Sequence, residues 1–109
     1  MRFFRAQRVG KLIREQLALM IERELEFPGA LVTITDVEVG KKLEHADVRV
    51  SVIPSERAPQ AMEILQREAG HLQHQLLRKI NIKPMPRIAF SLDHGPENAA
   101  QVEKALLKK

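Results

Sequence analysis

The stretch APQAMEILQREAGHLQHQLLRKI, residues 58–80, carries two opposed stripes and one glycine out of place. At about 100° per residue, Leu65, Ala69, Leu72, Leu76 and Ile80 fall along one side of a helix, and Arg67, His71, His74 and Arg78 along the other. Both stripes keep their phase through Gly70, although a glycine inside a helix costs about 1 kcal/mol relative to alanine. Gly70, with Ala69 beside it, therefore marks a kink, or a place where another backbone comes close. A kink of structural weight predicts that Gly70→Val destabilises or straightens the helix pair. The greasy side of the helix packs inward, and the basic side is left for a partner.

The segments on either side read as strands. Ile88, Phe90 and Leu92 alternate with Arg87, Ala89, Ser91 and Asp93, after a short connection, Asn81 to Pro86, that holds two prolines. Upstream, Ala46, Val48, Val50 and Val52 alternate with Asp47, Arg49 and Ser51, so this strand faces a core on one side only. Strand, long helical crossover and strand make a right-handed βαβ unit whose two strands run parallel. Ser55 is a candidate cap for the crossover helix, with Pro59 in its first turn.

From Leu31 to Val39 the residues are β-branched and apolar, and the inward phase shifts between Ile34 and Val37, which predicts a bulge. Gly40, Lys41 and Lys42 turn this strand back as a hairpin. Residues 4–26 form a long amphipathic helix on Val9, Ile13, Leu17, Ile21 and Leu25, ended by Pro28 and Gly29. Residues 94–109 read as a marginal C-terminal helix or tail with Val102 and Leu106 inward. The expected fold is α+β, in the order α-β-β-α(kink)α-β. It forms a single domain over residues 1–109, with the helices packed on one face of a three-stranded mixed sheet.

Composition bounds the function. The 109 residues are 44% apolar, enough for one core. No cysteine, no signal peptide and no membrane-length apolar run is present, so a soluble, cytoplasmic protein is expected. Charge is segregated: residues 1–14 hold five basic and no acidic side chains, residues 15–64 five basic and ten acidic, and residues 65–87 five basic and one acidic. Such segregation suits a polyanion partner, and a solvated helix face is the plain alternative. Arg5, Arg8 and Lys11 at the start of the first helix oppose its macrodipole, which a partner's phosphates would explain. With no tryptophan or tyrosine and four phenylalanines, a base-stacking platform is not expected.

Catalytic and metal patterns are thin. His71-x-x-His74 places two histidines where they can share an ion, but no obvious third ligand accompanies them, so no metal and no cofactor is expected. Neither a phosphate-binding loop nor a nucleophile elbow occurs, and Asp36, Asp47 and Asp93 form no justified pair. No enzyme and no small-molecule substrate is expected.

The element order is that of a type II KH-like domain, and the residues closely resemble the bacterial ribosome-binding factor A family. Arg5-Ala6-Gln7-Arg8-Val9 is similar to the family's opening R-x-x-R-V, followed by Ile13, Leu17 and Ile21. Val32 to Val39 resembles its first strand, and Leu43-Glu44-His45-Ala46-Asp47-Val48 its second strand and the turn before it. Gly70 stands at the family's helix-kink glycine, with Ile82-Lys83, Pro86, Phe90 and Asp93 at the family's spacings after it. Three positions depart from the pattern. Glu68 replaces an alanine, Gln73 replaces an arginine, and Phe27-Pro28-Gly29 replaces Asp-Pro-Arg.

The resemblance implies a monomeric assembly factor that binds 16S rRNA within the immature or free small ribosomal subunit. It implies help with late maturation and 5′-end processing, support of growth in the cold, and no membrane association. Ordinary KH domains seize RNA with a G-x-x-G loop; here one glycine remains, beside an acidic Glu68. The expected RNA-binding set is therefore Arg5, Arg8, Lys11, Lys41, Lys42, Arg67, His71, His74, Arg78, Lys79, Lys83 and Arg87, acting on phosphates. The alternative is a small protein-interaction module, using a strand edge or the C-terminal helix, whose basic face is incidental.

Overall fold

A computed structural model describes residues 2–93, with side chains from Arg5 onward; the expected C-terminal helix lies outside the described residues. The order is α1 (Arg2–Glu24), β1 (Leu31–Val39), β2 (His45–Ile53), a 3₁₀ turn (Ser55–Arg57), α2 (Ala58–Lys79) and β3 (Arg87–Leu92). The sheet order is β1-β2-β3. β1 and β2 form the antiparallel hairpin, with the register shift between Ile34 and Asp36. β2 and β3 run parallel, Val48 opposite Phe90, as a helical crossover requires.

Helical period and strand alternation meet in one core. Ile13, Leu17 and Met20 from α1, Leu65, Leu72 and Leu76 from α2, and Val48 and Val50 from β2 are each less than 2% exposed. Burying each large aliphatic side chain contributes about 1.5–3 kcal/mol, so this one-sided layer dominates the stability. The alternate residues of the strands face away from the helices, which leaves the other face of the sheet open to water. A smaller cluster of Val52, Ala58 and Ala61, packed by Phe27 and Ala30, closes the end where α2 begins.

The Phe27–Ala30 turn explains how α1 hands the chain to β1. The Ala30 N–H donates to the Phe27 carbonyl at 3.0 Å, and Gly29 has φ 70°, so Pro28 and Gly29 occupy the central positions of a type II turn. A side chain at Gly29 would also meet the Arg57 guanidinium, whose Cζ lies 3.3 Å from the Cβ position.

Two local details bear on these expectations. Helix α2 runs without interruption through Gly70 over 22 residues, and nothing lies within 4 Å of a Cβ built there, so the close approach of another backbone at Gly70 is not found. The amphipathic period carries the helix through the glycine, and no backbone approaches there. Ser55 does not cap α2. The cap position is Arg57 with no side-chain cap hydrogen bond, because Ser55 opens the 3₁₀ turn in which the Arg57 N–H donates to the Pro54 carbonyl at 3.0 Å.

Candidate nucleic-acid interface

The outer stripe of α2 is split by what α1 places against it. Near its middle, Arg67 is 3.9 Å from Glu68, and the groove they share with α1 is lined by Glu22, Arg23, Glu24 and Glu26. Four carboxylates face two guanidiniums there, so that half of the stripe is poor ground for a phosphate. The His71 Nε2 lies 3.6 Å from the Glu24 Oε1, and the Gln75 Nε2 donates to the same oxygen at 2.8 Å. His74 is exposed. Near the end of α2 the balance changes: Arg78 and Lys79 line a groove of about 530 Å³ with Arg23, Met20, Gln75 and the single acid Glu24. The expected continuous basic stripe is thus a neutralised half and a basic half.

A second basic group assembles at the start of α1. Arg5, Lys41, Lys42 and Lys83 line one hollow of about 310 Å³ with Leu43 and Pro84, and no carboxylate lines it. Among the described residues, none of these four cations lies within ion-pair distance of an acid. They come from three segments, and the two that carry the lysines are pinned. The β1–β2 turn is closed by the Leu43 N–H to the Gly40 carbonyl at 2.9 Å and the Gly40 N–H to the His45 carbonyl at 3.0 Å. Leu43 holds φ 59°, a conformation that costs a non-glycine residue about 1 kcal/mol or more. Its side chain is only 6% exposed, so burial holds the strained turn in place.

The connection that carries Lys83 is tied to the same turn. The Arg87 N–H donates to the Glu44 carbonyl at 2.9 Å. On its other side, Gln73 brackets the strand start: its Nε2 donates to the Pro86 carbonyl at 2.9 Å, and its Oε1 accepts from the Ile88 N–H at 2.8 Å. Arg87 itself is exposed at the first position of β3, opposite His45. Arg8 and Lys11 are exposed on α1, outside both basic hollows.

The open face of the sheet has the opposite character. Arg49 stands at its centre, 3.6 Å from Asp36 and 3.4 Å from Asp47, and is also paired with Glu38. The hydrogen bond to Asp47, then that to Glu38, pushes its pKa further up. Asp47 also accepts from the Ser91 hydroxyl at 2.7 Å, and Asp93 from the Thr35 hydroxyl at 2.7 Å. Among the described residues, Arg49 and Arg87 share this face with four carboxylates, which leaves it acidic.

Sequence reading missed Arg23, which sits in an acidic run but lies three residues after the buried Met20 and so borders the α1–α2 groove. It also missed the bracketing by Gln73, whose half-buried place beside the Leu72 and Leu76 row was the available signal. Among the described residues no group of three or more His, Cys, Asp and Glu is arranged to hold a metal ion, and no helix is long and apolar enough to cross a membrane.

A family model described as ribosome-binding factor A matches residues 5–106. Ribosome-binding factor A of Caldanaerobacter subterraneus subsp. tengcongensis is 35% identical over 106 residues, covering 94% of this chain and 87% of that protein. Its counterpart from Nitrosococcus oceani is 34% identical, covering 98% and 89%. The crystal structure of ribosome-binding factor A from Thermus thermophilus superposes with a TM-score of 0.69 at 23% identity, over 80% of this chain and 94% of that one, which shows the shared fold. A homology model of the Thermus thermophilus factor, fitted into a cryo-EM map of its complex with 30S, gives a TM-score of 0.64 at 26% identity, over 75% and 88%.

Proposed function

The chain belongs to the ribosome-binding factor A family, and from that premise we propose that it binds the free small ribosomal subunit as a non-catalytic assembly factor. In this reading it contacts 16S rRNA of the immature particle, assists late maturation and 5′-end processing, and leaves before translation. It works in the cytoplasm as a monomer, without metal or cofactor, and sustains growth in the cold. The observation that carries the reading is the family match over residues 5–106. The Thermus relative fitted into a 30S complex supports it, and so do two hollows whose cations outnumber their acids on a molecule whose opposite face is acidic.

Contact in this reading is with the RNA backbone. Phosphates neutralised by lysine and arginine release counterions, so binding weakens steeply with salt. The test is sedimentation of the full chain with free small subunits across a salt series. Replacing Arg5 and Arg78 by alanine is expected to weaken binding and to flatten the logarithmic salt slope by about 1.5–2 for two lost phosphate contacts. Arg67→Ala, at the neutralised half of the stripe, is expected to change little. Binding of the double variant as tight as that of wild type at every salt concentration would overturn the reading.

A protein-interaction module is the second reading, favoured by one observation. An apolar groove of about 610 Å³ lies between α1 and the edge strand β1, lined by Ala18, Ile21, Leu25, Phe27, Val32 and Ile34 among others. Salt separates the readings, because an apolar contact holds as ionic strength rises.

A further inference from the structure

We propose that the hollow formed by Arg5, Lys41, Lys42 and Lys83 is a preorganised site for a single phosphoryl group. This deepens the RNA-binding reading and rests on it. Four cations from three chain segments surround one cavity that no carboxylate lines. Their like charge concentrates positive potential in the hollow and so favours an anion there. The two segments that carry the lysines do not spread apart, because they are held independently of the charges. The buried Leu43 locks the turn, the Arg87 N–H to Glu44 bond ties the α2–β3 connection to it, and Gln73 clamps that connection to α2. The lysine-bearing segments are therefore in place before a ligand arrives, which lowers the ordering cost of binding.

Shape refines the ligand. The hollow opens to solvent on one side, so it admits a phosphate still joined to its sugar. Leu43 and Pro84 supply the apolar wall against which a sugar packs, while the cations take the phosphoryl oxygens. An internal phosphodiester and a terminal phosphomonoester present the same group to this site.

The test titrates the isotope-labelled full chain with inorganic phosphate, and then with a short single-stranded RNA bearing hydroxyl ends or one phosphorylated end, at constant ionic strength. Amide shifts are expected to saturate at Lys41, Lys42, Leu43 and Lys83. Lys42→Gln with Lys83→Gln is expected to weaken phosphate binding about tenfold, each lost charge-assisted contact contributing. The equal charge change Arg78→Gln with Lys79→Gln is expected to shift it less than about twofold. Both pairs are exposed, so their unfolding midpoints should stay at wild type.

Equal weakening by both pairs would show a diffuse field, and shifts spread over α2 would show the same; either overturns the site. So does the absence of saturable shifts. The RNA arms separate the sources. Tighter binding of the end-phosphorylated RNA, an advantage lost between pH 7.5 and 5.5 as the terminal phosphate goes from dianion to monoanion with pKa near 6, assigns a chain end. Equal, pH-independent binding of both RNAs assigns an internal phosphate. Phosphate titration reads this site, and sedimentation of the wild-type chain with small subunits reads the proposed function, so the two fail separately.

Discussion

A Cβ built on Gly10 would stand 3.0 Å from the Val37 carbonyl oxygen and 3.4 Å from the Val39 Cγ2, whereas one built on Gly70 would meet nothing within 4 Å. The two helical glycines therefore respond to the same substitution with opposite signs. Gly10→Ala forces α1 away from β1 and is expected to cost about 1–3 kcal/mol, the usual range for overpacking. Gly70→Ala removes a backbone-entropy cost on an exposed helix and is expected to add about 0.5–1 kcal/mol. Denaturant midpoints of the two variants check this; a destabilised Gly70→Ala would restore a structural role to that glycine. Sequence reading singled out Gly70 because it interrupts a visible pattern. It passed over Gly10 because period tells which side of a helix is buried and says nothing of how near the next backbone lies.

Among the elements, the join between α2 and β3 depends on one side chain that the family resemblance would have made an arginine. Gln73 both donates and accepts, and so partners the Pro86 carbonyl and the Ile88 N–H on the open edge of β3. An arginine has no acceptor and would leave the Ile88 N–H without its partner. Gln73→Leu, which removes both bonds at a half-buried position, is expected to cost about 1–3 kcal/mol. Hydrogen exchange at Ile88 should quicken by more than at Phe90; protection unchanged at Ile88 would show that the bracket is dispensable. The strands, the bulge between Ile34 and Asp36 and the parallel β2–β3 pairing were legible beforehand, since alternation and crossover length report them directly. The open space beside Gly70 and the idle Ser55 were not, because a glycine or a serine has a typical local role that packing is free to ignore.

For the molecule as a whole, the decisive property is which charges share a side. Asp36, Glu38 and Asp47 surround Arg49 on the open sheet face, away from both basic hollows. Neutralising that face with Asp36→Asn and Glu38→Gln is expected to leave small-subunit sedimentation within about twofold of wild type, since exposed pairs contribute only about 0–1 kcal/mol each. A tenfold change would place the sheet face in the contact. What the sequence determined by itself was the order of the described elements, their inward residues, and the family, because these follow from period and local spacing. What only the tertiary structure decided was the grouping of the charges. Arg5, the pair Lys41 and Lys42, and Lys83 come from three distant segments of the chain and meet around one hollow, while His71 and Arg67, on the face that looked most basic, lie against Glu24 and Glu68. Electrostatic fields sum over distance in space, and distance in space between segments is set by how the helices cross the sheet.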